Sequence, residues 1–285
     1  MPGIMDIKRR IGSVKSTQKI TRAMKLVAAS KLRRAQESIE QARPYALRMR
    51  SLVNNLASRA ELDLHPLLHP GADEGVELIV FSSDRGLCGA FNSTIVNAAL
   101  RSIREEFDGR EVQLTIVGRK GNELLRTRYE RIGETYSGVL DGSLMDTAGK
   151  IVRQVAEPFT QGETGEVYCL YNEFKSAIAQ PVVLERILPF EPTPVAEGVA
   201  TVDYVYEPSQ TGVYEALLWK HLQIQMHRIL NEAAASEHGA RMTAMESATS
   251  NASDMIERLT LKFNRARQDA ITTELIEVVS GAEAL

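Results

Sequence analysis

The chain has 285 residues, a net charge of −3, 44% hydrophobic and 25% charged residues, which fits one or two folded domains and excludes a disordered or fibrous chain. Its two cysteines, Cys88 and Cys169, exclude a disulfide scaffold and suit a reducing compartment. No apolar run reaches the ~18 residues that mark a membrane span, and the sequence opens without the apolar core of a signal peptide.

The first predicted element is a long helix over residues 1–58. Its seam steps by three and four through Ile4, Ile7, Ile11, Val14, Gln18, Thr21, Lys25, Ala28, Leu32, Ala35, Ile39, Ala42, Ala46, Met49, Val53 and Leu56. A 3.5-residue period belongs to a coiled coil and implies a left-handed supercoil with a partner helix. Gln18, Thr21 and Lys25 are polar, and polar seam positions fix register at a cost in stability. Pro44 is a kink or a weak point in the pattern. Residues 1–50 hold thirteen basic side chains against Asp6, Glu37 and Glu40, a net of +10 that leaves −13 on the rest. A basic element on an acidic protein points to an acidic partner surface or to nucleic acid. The nucleic-acid reading predicts binding that falls steeply with salt, but no aromatic residue is interleaved with the basic ones before Tyr45.

Residues 59–75 read as a linker, with prolines, glycines and no period. His65 and His69 within it are too few to ligate a metal. Residues 76–190 alternate strand and helix. VELIVF is a buried strand, followed by a helix from Ser93 to Phe107, a strand from Val112 to Gly118 and a helix from Lys120 to Tyr129. A short strand at Ile132–Tyr136, a helix at Ser143–Thr160 and a hairpin of Glu166–Phe174 with Pro181–Phe190 complete the domain. The alternation predicts an α/β sheet with helices on both faces. Two glycine turns, Gly86-Leu-Cys-Gly89 and Gly118-Arg-Lys-Gly121, follow strands, where phosphate is often cradled. Neither completes a dinucleotide or P-loop fingerprint. The plain reading is a tight turn beside a packed helix. Cys88 lacks a sequence-adjacent histidine to activate it as a nucleophile. A nucleotide-dependent enzyme remains a rival, which titration with ATP and NAD would separate.

Residues 191–212 are a loop. In it Tyr204, Tyr206 and Glu207 are either a docking foot or a segment packed on the sheet. Residues 213–285 then form a second long helix, since no proline follows Pro208. At 1.5 Å per residue it is roughly 110 Å long, about 30 Å more than the first. Its seam runs through Ala252, Ile256, Leu259, Phe263, Ala266 and Ala270, so the two ends of the chain pair antiparallel if the middle folds compactly. The tip carries Leu275, Ile276, Val278 and Val279, which need a hydrophobic sleeve on another protein. Gly239 permits either a helix end or a continuous helix at a cost of about 1 kcal/mol. The small side chains from Ala233 to Ser253 suit a weakly adhesive bearing face or close packing on a neighbour. The fold class is α/β: a long antiparallel left-handed coiled coil of the N- and C-terminal helices plus a Rossmann-like α/β domain.

Three stretches, KRRIGSVKSTQKITRAMKLVAASKLRRAQ, SSDRGLCGAFN and SEHGARMTAMESATSNASDMIERLTLKFNRARQDAITTELIEVVSGAEAL, resemble the gamma subunit of F-type ATP synthases from end to end. The resemblance implies a central-stalk rotor that couples a proton-driven c ring to the catalytic beta subunits, itself non-catalytic and without cofactor or metal. It implies three alpha and three beta subunits, an epsilon subunit and the c ring as partners, and a peripheral place on the cytoplasmic side of a bacterial inner membrane. It also implies one continuous C-terminal helix. By the same resemblance Met24, Lys25, Arg241, Gln268, Thr272 and Glu274 are rotor–stator contacts, and Tyr204, Tyr206 and Glu207 lie near the c ring. The dithiol insertion of the chloroplast members is absent.

Overall fold

A computed structural model describes residues 4–57, 66–69, 75–139, 142–191, 207 and 210–283. The chain forms two compact units, residues 1–28 with 241–285, and residues 29–240. Two helices contribute to both, α1 (Ile4–Ala57) and α5 (Gln210–Glu283).

In the first unit the heptad pattern is visible as burial. From Ile4 to Thr21 the seam residues of α1 are shielded and every residue between them is exposed. From Ala252 to Ala270 the same holds for α5, where the shielded residues are Ala252, Ile256, Leu259, Phe263, Ala266 and Ala270. A stripe this narrow is a two-helix seam, not the wider face of a helix on a sheet. Gln18 bonds Ser253, Thr21 bonds Thr249 and Lys25 bonds Glu246. Position numbers rise on one helix as they fall on the other, so the helices are antiparallel. Past Ala270, α5 shows no shielded residue as far as Ser280, and Leu275, Ile276, Val278 and Val279 are all more than half exposed.

In the second unit, β1 (Val76–Phe81), α2 (Phe91–Glu105), β2 (Val112–Val117), α3 (Arg119–Leu125), β3 (Ile132–Tyr136), α4 (Leu144–Thr160), β4 (Glu166–Asn172) and β5 (Val182–Leu188) follow a short 3-10 turn at Pro66–Leu68. The sheet order is β3-β2-β1-β4-β5. The first four strands are parallel, and β5 runs antiparallel to β4 as the second arm of a hairpin. Alternate residues of β1 feed two cores. Val76, Leu78 and Val80 pack with Ile95, Ala99 and Leu125 of α2 and α3. Ile79 and Phe81 pack with α4 and with Leu218, Leu222 and Ile229 of α5. Helices therefore cover both faces, as parallel strands require. Met49 and Val53 of α1 join the second core.

The helix starts differ from the expected ones by a residue or two. At α4, Ser143 caps the helix by accepting a hydrogen bond from the Asp146 amide at 3.3 Å, which moves its role from first helical residue to cap. Helix α1 runs on through Pro44. Pro44 and Glu40 are both on its exposed side, so the Glu40 carbonyl that loses its helical partner faces water.

Helix α5 is unbroken across Gly239, and the glycine has a packing reason. A Cβ there would come within 3.3 Å of the Phe174 ring and 3.4 Å of Ala177 on the β4–β5 hairpin. The expected bearing face is corrected over its first part. Ala233, Ala234, Ala235, Ser236, Glu237 and His238 are buried, and the small side chains of the first four let α5 approach the strand ends closely. They cannot serve as a sliding surface.

Candidate functional site

The polar rungs of the helix pair are the first candidate. Gln18 Nε2 donates to Ser253 Oγ at 2.7 Å, Thr21 and Thr249 share a hydroxyl bond of 2.8 Å, and Lys25 Nζ donates to Glu246 Oε1 at 2.6 Å. Thr21 is buried, and the run of three polar seam positions is flanked by the apolar Val14 and Ala28. A polar group in an apolar seam costs stability unless partnered, and the observed register gives each of these a partner. The residues opposite, Glu246, Thr249 and Ser253, were not among the expected site residues. Their signal was the mirrored spacing of three and four.

Of the expected contact residues, Met24 and Lys25 lie half-buried on α1 and Arg241 half-buried on α5. Lys25 is engaged by Glu246, with 35% of its side chain exposed, so its ammonium keeps donors for a second acceptor. Gln268, Thr272 and Glu274 form a separate exposed group further along α5. The Thr272 hydroxyl donates back to the Gln268 carbonyl at 2.9 Å. Tyr204 and Tyr206 lie outside the described residues, and Glu207 is exposed.

A second group holds α5 to the sheet. Arg228 donates to Glu185 of β5, to the Tyr171 hydroxyl of β4 at 3.1 Å and to Glu232 at 3.1 Å. The Tyr171 hydroxyl donates to Glu185 at 2.7 Å. Burial alone would favour neutral Arg228, but Glu185 and Tyr171 outweigh it and hold the guanidinium charged. Burial pushes the Tyr171 hydroxyl well above its ordinary range. Nearby His221, 2% exposed, is driven down to about 4 by burial and by the charges of Arg50 and Arg228. Arg43, Leu47, Phe190, His221, Arg228 and others line a cleft of about 1050 Å³ beside this network. The charges along it are of both signs.

The position where an α/β sheet of this order binds ligands is the crevice at the carboxyl ends of β1 and β4, where successive connections diverge. Here α5 fills it. The Ser236 hydroxyl donates to the Asn172 carbonyl at 2.8 Å. Phe81, Ser82, Gly118, Ala233, Ala234 and Glu237 surround a residual void of only about 10 Å³. The second glycine turn is also occupied. The first three amides of α3, which would greet a phosphate, go to the Asp84 carboxylate at 3.1 Å, the Ser83 carbonyl at 2.9 Å and the Ser82 hydroxyl at 2.9 Å. A Cβ at Gly118 or Gly121 would meet Ser82 at 2.4 Å, so these glycines permit close packing of two turns. In the first turn Leu87 and Gly89 take positive φ of 64° and 61°. Cys88 is buried there, with Asn92 Nδ2 donating to its sulfur at 3.3 Å. Among the described residues no group of three or more His, Cys, Asp or Glu is placed to hold a metal, and no helix is long and apolar enough to cross a membrane.

Comparison with known proteins agrees with this arrangement. A family model described as ATP synthase matches residues 3–285. An ATP synthase gamma chain from Anaeromyxobacter sp. (strain Fw109-5) is 48% identical over 289 aligned positions, covering 100% of both chains. One from Geobacter metallireducens is 46% identical, covering 100% of this chain and 99% of the relative. Among solved structures, a chain of the central stalk and c ring of the Tetrahymena thermophila mitochondrial ATP synthase superposes with a TM-score of 0.61 at 27% identity, over 80% of this chain and 99% of that one. A chain of the Euglena gracilis mitochondrial ATP synthase has a TM-score of 0.67 at 17% identity, over 99% and 94% of the two chains, and shares the fold.

Proposed function

This chain belongs to the ATP synthase gamma-chain family, and we propose that within the central stalk its work is purely mechanical. The subunit is the rotor that couples turning of the membrane c ring to conformational change at the catalytic beta subunits, and it is a peripheral part of that membrane-bound, ATP-synthesising complex. The chain performs no chemistry of its own. Its partners are three alpha and three beta subunits, one epsilon subunit and the c ring. It lies on the cytoplasmic side of a bacterial inner membrane.

The observation that carries this reading is the pairing of the two chain ends in the first unit, keyed by three polar rungs. A single helix bends easily. Two helices locked in one register resist bending and axial slip, which a torque-bearing element needs. The filled crevice at the strand ends supports a non-catalytic role, because the position a nucleotide would take is occupied by α5 itself. The Arg228 network supports transmission, since it fixes α5 to the last two strands through charge-assisted bonds.

Met24 and Lys25 form one contact with the stator, facing an acidic loop of beta, and Arg241 belongs to a further contact stretch on α5. Gln268, Thr272 and Glu274 form another nearer the tip. Tyr204, Tyr206 and Glu207 form the foot toward the c ring. The test is assembly. Tagged chain should co-purify with alpha and beta subunits in a three-to-three-to-one complex that hydrolyses ATP, while the chain alone binds no nucleotide. ATP turnover by the purified chain would overturn the reading.

A further inference from the structure

On the α4 face of the sheet a half-buried carboxyl group has one oxygen enclosed and no cation beside it. Glu77 is the second residue of β1, a strand flanked by β2 and β4. Its polar neighbours form a chain of hydrogen bonds that points toward it. The Tyr136 hydroxyl of β3 donates to Gln154 Oε1 of α4. Gln154 Nε2 donates to Thr115 Oγ1 of β2 at 3.5 Å. The Thr115 side chain lies near enough to Glu77 to act on its carboxyl. The Glu77 Oε1 atom is enclosed without a hydrogen-bond partner among the described residues.

The surroundings offer no compensation. From β4 the register places Val167 beside Glu77, and from β2 it places the neutral Gln113. The charged side chains of α4 in this stretch, Lys150, Arg153 and Glu157, lie on its exposed side, as does Glu134 of β3. An ionised carboxylate with one oxygen unsatisfied in such a site is costly, whereas the protonated acid is tolerated. Burial accordingly pushes Glu77 up to about 7 against the opposing influence of the nearby Thr115.

We propose that Glu77 is an internal proton-binding site: with its proton bound, α4 closes on the sheet, and with the proton lost, α4 loosens. The site lies where a change would be felt by the rotor. Helix α4 touches α5 directly, through Gln223 Nε2 donating to the Met145 carbonyl at 3.3 Å, and Gly149 lies against the same Gln223 side chain. Loosening α4 therefore slackens the seat of α5 on the sheet. The inference does not depend on the rotor reading, since it concerns only the packing of this unit.

The sign follows from linkage. The closed state binds a proton near pH 7 and an opened, hydrated state binds it near the ordinary 4.5. Closure is then fully favoured below the lower value, is lost as pH rises toward the upper one, and is constant above it. Amide hydrogen exchange across residues 144–160 of the intact chain, corrected for the intrinsic effect of pH, measures it. The opening constant of α4 should rise about 30-fold between about pH 5.5 and 8.5, and Glu77→Gln should flatten that rise. Parallel profiles for the wild type and the variant would overturn the proposal. If Glu77→Gln does not fold, the carboxyl-carbon titration of Glu77 in the wild type decides. A midpoint near neutrality supports the site, and a midpoint in the ordinary carboxylate range overturns it.

Discussion

Reversing the charge at Lys25 separates two roles that the residue combines. Its ammonium donates to Glu246 at 2.6 Å, with the two side chains 35% and 58% exposed, and an exposed pair of this kind contributes about 0.2–1 kcal/mol. Lys25→Glu removes that and sets two carboxylates opposite each other, which adds about 1 kcal/mol of repulsion at contact distance in water. The total, about 1–2 kcal/mol, should lower the melting temperature by about 2–4 °C per kcal/mol, and less at high salt. The double variant Lys25→Glu with Glu246→Lys rebuilds the pair with its charges exchanged, so stability should return to within about 0.5 kcal/mol of the wild type. If the proposed contact holds, coupling should not return, because the α1 surface would still present a carboxylate to an acidic stator. Thermal unfolding of the chain and ATP-driven proton pumping by the reconstituted complex are the two readouts. If the double variant restores pumping together with stability, Lys25 acts only as a rung, and its assignment as a stator contact is wrong.

Arg228→Met should cost about 2–3 kcal/mol in denaturant unfolding, because it strands Glu185 and Glu232 beside one another without their shared cation. Adding Glu185→Leu should recover part of that loss. His221, held down to about 4, must gain a proton when the chain unfolds below its ordinary value of ~6.5. Its contribution is therefore complete above about pH 6.5 and is lost as pH falls toward 4, by up to about 3 kcal/mol. His221→Phe should remove this acid sensitivity in melting curves recorded across that range. Removing the residues after Leu275 should leave the chain's melting temperature within about 0.5 kcal/mol-equivalents of the wild type, since the side chains there as far as Ser280 are exposed. The same truncation should lower recovery of the assembled complex on size-exclusion chromatography.

Periodicity made the helices and strands legible because burial writes itself into spacing. The narrow seam of α1 and the alternating residues of β1 both follow directly from which side meets a neighbour. What spacing cannot carry is a contact between distant elements. Arg228 and Glu185 lie 43 residues apart, and nothing local to either announces the other. The second glycine turn shows the same limit. Its conformation was readable, but the groups that satisfy the α3 amides, Ser82, Ser83 and Asp84, come from a different strand end. Likewise the small residues at 233–236 fit a bearing as well as a close contact, and only the nearness of the strand ends decides between them.

The register of the helix pair is the exception, since it was recoverable from residue types alone. Pairing Gln18, Thr21 and Lys25 with Ser253, Thr249 and Glu246 gives every polar seam group a partner. Sliding α5 by one heptad in either direction sets Lys25 opposite Ser253 or Gly239, and Thr21 opposite Ile256 or Met242. Either slip keeps most apolar seam contacts but leaves a charge without its acid and sets a threonine against a hydrocarbon side chain. The hydrophobic steps alone would accept all three registers at similar cost, because they repeat. The three rungs break that degeneracy. They set one axial alignment for two helices that must hold it under torsion, and the stability they give up is repaid as a single mechanical state.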